Sequence, residues 1–544
     1  MTAPSRQASP LTTVQKPRRK SLAAAGGVAA LIAGLGLGEL TAALTSIATS
    51  PTGSVGSVVI DLTPGWFKEF MISAVGTADK FVLVALIIVV ASAVGAIAGV
   101  LELSRPPGGR AVLGGLAVVC AIAALSRAGA GLSSVLPAAV AWLVAALVLV
   151  FLVRRLRPGV APATATRRRA AERGDAPTPA PAAESSIDRR RFLLYSAAAV
   201  VVGVAGGAMS RVAGAGARAA QSARSLLRLP AAAIPAPAVP AVPAGAALDV
   251  AGITPLVTAN GDFYRIDTAL AVPDVNPDDW SLTVNGMVEH PITITFAELL
   301  ALPLTERAVT LACVSNVVGG DLIGNATWLG YPINELLARA KPAAGADMVL
   351  SRSVDGFTAS TPLEALTDDR GALLAVGMNG EPLPFEHGFP VRMVVPGLYG
   401  YVSATKWVSE MTVTRFDRDT AYWTRNGWSP LGPIKTESRI DVPRNGEKVA
   451  AGMVTIAGVA WAQTRGIDKV EVRIDTEPWR EATLARAISA DTWVQWLYEW
   501  QATSGTHTLT VRATDSTGVT QTETQVGPVP DGATGWDRLT VNVG

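Results

Sequence analysis

The sequence predicts a multi-domain protein: an N-terminal α-helical transmembrane bundle, then an α+β domain, then an all-β sandwich. Three observations predict it. Charged residues make up only 17% of the 544 and the mean hydropathy is +0.34, which points to membrane segments rather than one large soluble core. Apolar runs of spanning length fall within the first 210 residues. The last hundred residues alternate polar and apolar at period two between short turns, the pattern of half-buried strands.

The chain opens on a tail, 1–20, expected in the cytoplasm, and continues into a four-helix transmembrane region, 21–155. Its apolar runs are Leu22–Leu44, Phe81–Leu101, Ala111–Leu125 and Val135–Val153, near the length that a bilayer core requires. The third run is short before Arg127, which is expected to snorkel at a helix end. Cys120, inside that run, reads as a small hydrophobe. A basic cytoplasmic loop, 156–191, leads to a fifth transmembrane helix, 192–209.

Charge orients the set. "KPRRK" precedes the first run, "SRPPGGR" joins the second to the third, and "RRLRPG" with "TRRRAAER" follows the fourth. By the positive-inside rule those segments face the cytoplasm, and an odd number of spans leaves everything after residue 210 outside. The chain is thus expected to be a multi-pass cell-membrane protein with extracytoplasmic C-terminal domains. Arg189-Arg190-x-Phe192-Leu193 before a moderate apolar stretch resembles a twin-arginine export signal, used by proteins that acquire a cofactor before crossing. The plainer reading is three topogenic arginines.

Residues 210–252 read as an Ala/Pro-rich linker. Its stretch "LPAAAIPAPAVPAVPAGAALDVAG" can form neither helix nor ladder and is expected to be a semi-extended tether. From 253 to 440 the character is mixed: "WSLTVNGMV" reads as a strand element with an Asn-Gly turn, "TFAELLAL" and "GYPINELLARA" as helices, and "GFPVRMVVPGLYG" as a buried strand between Gly-Pro breakers. In 441–544, "GMVTIAGVAWA", "VEVRIDTEPWREATL", "TWVQWLYEWQA" and "GTHTLTVRATDSTG" give seven or so strands, a sandwich of immunoglobulin type.

The chain has two cysteines and a formal net charge of +2, so neither a disulfide framework nor a nucleic-acid footprint is indicated. Cys313 stands apart in "TLACVSNVVGGDLIGNATWLGYP". That stretch with "NGEPLPFEHGFPVRMVVPGLYGYVSATKWV" and the sandwich segments "GVAWAQTRGIDKVEVRIDTEPWREATL" and "HTLTVRATD" resembles the sulfite oxidase family of molybdopterin-dependent oxidoreductases, in a membrane-anchored bacterial form, over about residues 255–540.

The resemblance implies a sulfite-oxidase-type molybdopterin domain at 253–440 and a dimerisation domain at 441–544. It implies one molybdenum with molybdopterin per chain, and Cys313 as catalytic residue and single protein ligand of the metal. The chemistry agrees, since a thiolate is a soft donor that suits a molybdenum already held by a dithiolene. By the same resemblance the cofactor binds Tyr264 and Arg265 in "NGDFYRID", Ser353 in "SRSVDG", His387 and Arg392 in "HGFPVR", and Ser403, Thr405 and Lys406 in "VSATKW". Arg392 and Lys406 offer charge to a phosphate.

The match departs in two places. Sulfite oxidases follow the cysteine with "AGNRR", where this chain reads "VSNVVGG" with Val317 and Val318 at the arginine positions. The tyrosine at their active-site edge is replaced in "AYWTRNGWSP", with Trp428 at the approximate equivalent and Tyr422 displaced. A dianion in a dry pocket needs convergent positive charge, so the oxygen-atom transfer carries over and sulfite does not. The reading is therefore a membrane-anchored molybdenum oxidoreductase, with a reductase of sulfoxides or other S- or N-oxides as the alternative. An inactive membrane-anchored binding protein is the alternative of another class. The three histidines, His290, His387 and His507, all lie beyond the bundle, so no haem is expected there; electrons go to or from a separate carrier or quinone-linked partner. The aromatic "TWVQWLYEW" suggests a homodimer through the sandwich.

Overall fold

The computed structural model describes residues 15–45, 49–64, 67, 70–71, 79–127, 130–156, 189–213, 215–233 and 243–544. Most of the expected cytoplasmic tail, nearly all of the basic loop and the middle of the expected tether lie outside the described residues. The chain divides into two compact units, residues 1–215 and 216–544.

The first unit is helical: α1 Gln15–Thr45, α2 Pro51–Leu62, α3 Asp79–Ser104, α4 Gly108–Leu125, α5 Leu136–Arg154 and α6 Arg189–Ala213. All except α2 are long and apolar enough to cross a membrane, at Arg19–Thr45, Lys80–Ser104, Gly108–Leu125, Leu132–Arg154 and Arg190–Ser210; each of the five expected runs lies on one of them. Helix α1 packs against α3, α5 and α6 because its glycines admit their backbones. A methyl group at Gly27 would sit 2.0 Å from the Gly95 carbonyl of α3, at Gly34 2.4 Å from the Ala141 carbonyl of α5, and at Gly36 1.9 Å from the Gly203 carbonyl of α6. Small residues at the crossing points let the backbones approach this closely.

The apolar-run reading did not include α2. It starts where Ser50 Oγ accepts from Gly53 N–H, and Glu39 of α1 accepts from Ser50 Oγ at 2.6 Å and Thr52 N–H at 2.9 Å, a carboxylate at a helix N-terminus. Arg127, expected at a helix end, donates from Nη2 to Asp61 Oδ2 at 2.9 Å.

The second unit begins where a tether was expected, and much of that segment is instead docked. Helix α7, Ala215–Leu226, is fixed by Arg224, whose Nε and Nη2 donate to the carbonyls of Leu383 and Pro382 at 2.8 and 2.9 Å. Leu227, Leu229 and Ala232 pack on the following domain, and Ala246 is buried in its core. The composition that reads as a spacer is also apolar, and its leucines and alanines find a surface to cover.

Ten strands build the α+β domain: β1 Ser281–Gly286, β2 Ile292–Thr295, β3 Thr305–Ala312, β4 Ile323–Pro332, β5 Met348–Ser353, β6 Thr358–Pro362, β7 Leu373–Met378, β8 Glu381–Pro382, β9 Arg392–Val394 and β10 Val408–Thr414. One sheet runs β2-β1-β10-β5-β6; the other runs β3-β4-β7-β8, with β9 paired to β7. The two expected helices are present at Phe296–Leu300, started by a Thr295/Glu298 capping box, and Ile333–Ala340. The "NG" of β1 makes no two-residue turn. Gly286 has φ +85°, and a methyl there would meet the Val413 carbonyl at 2.3 Å.

The sandwich starts with β11, Glu437–Val442, which straddles the expected boundary. Its four-stranded sheet adds Gly452–Trp461, Val494–Ala502 and Thr483–Leu484; its five-stranded sheet holds Lys448–Val449, Asp537–Val543, Gly505–Asp515, Ile467–Ile474 and Arg480–Glu481. Trp496 and Trp500 fill the space between the sheets, while Trp461 and Trp493 belong to the core of the α+β domain. The aromatic segment thus faces inward, so its tryptophans give no support to a dimer surface.

Candidate active site

The cysteine lies just past β3, at the start of a loop pinned shut by its own backbone. Cys313 N–H donates to Leu322 O at 2.9 Å, Asn316 N–H to Cys313 O at 3.1 Å, and Leu322 N–H to Asn316 Oδ1 at 2.9 Å. Gly319, at φ +74°, packs so closely that a methyl there would lie 2.6 Å from Asp537 Oδ1. Arg439 of β11 donates to Gly320 O at 2.6 Å. The thiol is buried. Burial pushes its pKa up, and the Ser315 N–H and hydroxyl pull the other way. Such a thiol ionises when a cation replaces its proton.

A second group of side chains converges from β9, the turn before it and the segment after it. Gly388, at φ +111°, makes room, since a methyl there would touch the β-carbons of Arg392 and Lys406 at 3.0 and 3.1 Å. Arg392 is 5% exposed. It donates from Nε to Met393 O and from Nη1 to His387 O, over the Trp328 ring at 5.0 Å. Among the described residues no carboxylate forms an ion pair with it, and burial lowers its pKa to about 10. His387 Nε2 bonds Asn260 O at 2.9 Å; burial, then Arg392, holds its pKa down at about 4. Lys406 Nζ donates to Asp267 Oδ2 at 2.7 Å and Glu386 O at 3.0 Å. Burial brings it down to about 8 despite Asp267.

Tyr264 joins the two groups. It stacks on Phe263 at 5.2 Å, and burial, then the Cys313 thiolate, pushes its phenol up while Arg392 opposes. Arg265 pairs with Asp267 at 2.9 Å. Tyr264, Arg265, His387, Arg392 and Lys406 are thus brought together, with Cys313 in electrostatic reach of Tyr264.

Ser353, Ser403 and Thr405 turn to the chain's own groups. Ser353 bonds Asp355, Ser403 donates to the carbonyls of Leu398 and Tyr399, and Thr405 shares a bond with Ser351 at 2.7 Å. Sequence reasoning missed Asp267, the counter-charge to both Arg265 and Lys406, although it stands two residues past Arg265 in "YRID". It also missed Asn316, whose Nδ2 is buried without a partner among the described residues. Trp428 is packed on Tyr401 at 5.8 Å and buried.

A buried thiol, a buried guanidinium with no carboxylate and an orphaned amide N–H fit a metal-bearing anionic cofactor better than a closed core. Comparison with known proteins agrees. Residues 269–423 match the family described as oxidoreductase molybdopterin binding domain, and residues 437–511 match a bacterial Ig domain. The fold is that of a molybdopterin-binding oxidoreductase domain carrying an immunoglobulin-like one. The uncharacterized oxidoreductase YuiH of Bacillus subtilis is 34% identical over 153 residues, 28% of this chain and 74% of that protein. Mitochondrial sulfite oxidase of Mus musculus is 31% identical over 271 residues, 42% of this chain and 49% of that protein. The human enzyme is 30% identical over 261 residues, 40% of this chain and 47% of that protein. Among solved structures, the sulfane dehydrogenase SoxCD of Paracoccus pantotrophus aligns with a TM-score of 0.44 at 25% identity, over 49% of this chain and 75% of that one. The chain belongs to the sulfite oxidase family of molybdopterin-dependent oxidoreductases, whose cofactor is molybdenum with molybdopterin. It spans about half the length of the sulfite oxidases it matches.

Proposed function

We propose that this chain is a membrane-anchored oxidoreductase that transfers an oxygen atom with two electrons at one molybdenum, ligated by Cys313 and facing outside the cytoplasm. The observation that carries it is the buried Cys313 thiol, which acts with Arg392 on the same Tyr264 phenol, Arg392 itself being buried with no carboxylate ion pair among the described residues. Bound molybdopterin supplies the two-electron redox chemistry. Arg392 offers the anionic tail a charge already stripped of water, and His387, neutral at physiological pH, gives its one N–H to Asn260 O and braces the turn beside it. Lys406, held by Asp267, closes the same wall.

Reduction of sulfoxides or other S- or N-oxides is the second reading, favoured by one feature. Val317, at an arginine position of sulfite oxidases, is 54% exposed, so the lip of the cysteine loop presents an apolar surface where a dianion needs charge. A separate electron carrier or quinone-linked protein completes the cycle. The five apolar helices and their basic flanks support the membrane anchor and the outward orientation. A homodimer through the sandwich rests on the family resemblance alone.

Two measurements test the reading. Metal analysis of purified protein should give about one molybdenum per chain, and none in matured protein would leave only a binding role. Cys313→Ser should fold normally yet lose turnover in a screen of sulfite against S- and N-oxides with artificial carriers, because a hydroxyl is a far poorer donor to this metal. Substantial turnover in a molybdenum-loaded variant removes the ligand assignment.

A further inference from the structure

The ends of α1, α5 and α6 meet around one side chain. Phe192 of α6 is 1% exposed, and a methyl at Gly26 of α1 would lie 3.1 Å from its ring and 3.6 Å from the Leu152 β-carbon of α5. Ala23, Leu152 and Leu156 share the buried cluster around it. Basic residues stand beside the members of that cluster. Arg19 lies one helical turn before Ala23 on the same face of α1, Arg155 directly precedes Leu156, and Arg190 and Arg191 lead into Phe192.

Arg155 and Arg19 are held in ways that a mere count of charges does not require. The Arg155 guanidinium carbon lies 4.6 Å from the ring centres of both Phe151 and Tyr195, which meet edge-on at 5.3 Å between α5 and α6. Aromatic faces hold a cation without occupying its N–H groups. Arg19 is half-buried, and its Nε is buried with no hydrogen-bond partner among the described residues, a costly state until an acceptor meets it. No carboxylate among the described residues forms an ion pair with either arginine. Glu102 of α3, three residues past the Gly99 that abuts Ala23, is engaged by Arg110 at 3.1 Å. Inward from the cations, Phe151 and Leu147 of α5 and Leu194 of α6 are exposed.

We propose that these helix ends bind the headgroup of an anionic phospholipid, with Arg19 and Arg155 donating to its phosphate and Leu147, Phe151 and Leu194 lining its acyl chains. The proposal rests on the membrane-anchor reading above. Charge complementarity selects the occupant. Cations without carboxylate partners call for an anion, and the apolar side chains leading away from them call for hydrocarbon attached to it. A topogenic role needs only the number of charges beside a span. It does not need a guanidinium clasped by two rings, or one whose N–H is buried and unmet. The site adds position and the planar fork of arginine.

The test titrates the full chain in detergent with phosphatidylglycerol or phosphatidylcholine of the same acyl chains and counts bound lipid by native mass spectrometry. Wild type should prefer phosphatidylglycerol. Arg19→Gln and Arg155→Gln should each weaken its binding about fivefold, and roughly twenty-five-fold together. Arg105→Gln, in the exposed turn after α3, should leave it nearly unchanged. Arg19→Lys with Arg155→Lys keeps the charge and the fold, and should recover only part of the affinity because an ammonium lacks the fork. No preference for the anionic lipid, an equal loss in Arg105→Gln, or full recovery by the lysine pair overturns the site. Displacement of the lipid by millimolar inorganic phosphate overturns the choice of occupant. Release of the chain from membranes by alkaline carbonate would remove the anchor reading and the lipid site with it. A chain that resists extraction yet shows no lipid preference loses the site alone.

Discussion

At the scale of single residues, the site is defined by one buried charge, Arg392, that no carboxylate among the described residues pairs. Arg392 sits 5% exposed with carbonyls and a tryptophan face as neighbours, and burying a charge without its counterpart costs several kcal/mol. Arg392→Met should therefore leave the cofactor-free protein as stable as wild type or more so, while lowering the cofactor retained on purification about tenfold or more. Thermal melts of apo protein beside molybdenum analysis check both halves. His387 gives a pH signature whose sign follows from its lowered pKa. Between about 6.5 and 4 the unfolded chain binds a proton that the folded one does not, so this contribution is intact above 6.5 and is lost as pH falls toward 4. Denaturation of His387→Gln at pH 7 and pH 4.5 should show a smaller loss than wild type.

At the scale of elements, legibility tracked how local the signal was. The five long apolar helices, the helices at 296–300 and 333–340 and the period-two strands of the sandwich are written in residue spacing, and each lies where spacing puts it. Helix α7 and its leucines were not legible, because proline and alanine describe a segment's own stiffness and say nothing of the surface it meets. Among site residues, Cys313, Arg392 and Lys406 stand inside recognisable motifs. Asp267 matters through a partner 139 residues away, Lys406, which no local pattern encodes. Within α6, Arg189-Arg190→Lys-Lys keeps the charge and so the topogenic signal. If the twin-arginine reading is right, the variant should strand the C-terminal domains on the cytoplasmic side, as protease accessibility of intact cells would reveal; normal external exposure favours the plain topogenic reading.

At the scale of the whole molecule, the α+β domain and the sandwich are one folding body. Trp493 donates from Nε1 to Leu256 O at 2.8 Å, its N–H bonds Thr310 Oγ1 at 2.9 Å, and Gln463 Nε2 donates to Thr310 O at 3.0 Å. Trp493→Ala should cost about 3–5 kcal/mol, and calorimetry should show one transition moved down rather than the sandwich melting alone. Thr310 lies three residues before Cys313, so the same variant is expected to loosen cofactor retention from a position remote in sequence.

Trp461 and Trp493 carry this further, into how such a chain can be inherited. Sequence families draw the two regions as separate cassettes, yet two indoles from one are bricks in the wall of the other. A recombination that exchanged the sandwich for a foreign one would import the strands and leave two holes in the core of the α+β domain. Ancestry should therefore run jointly through both regions, and a successful graft should need the matching tryptophan pair to travel with it.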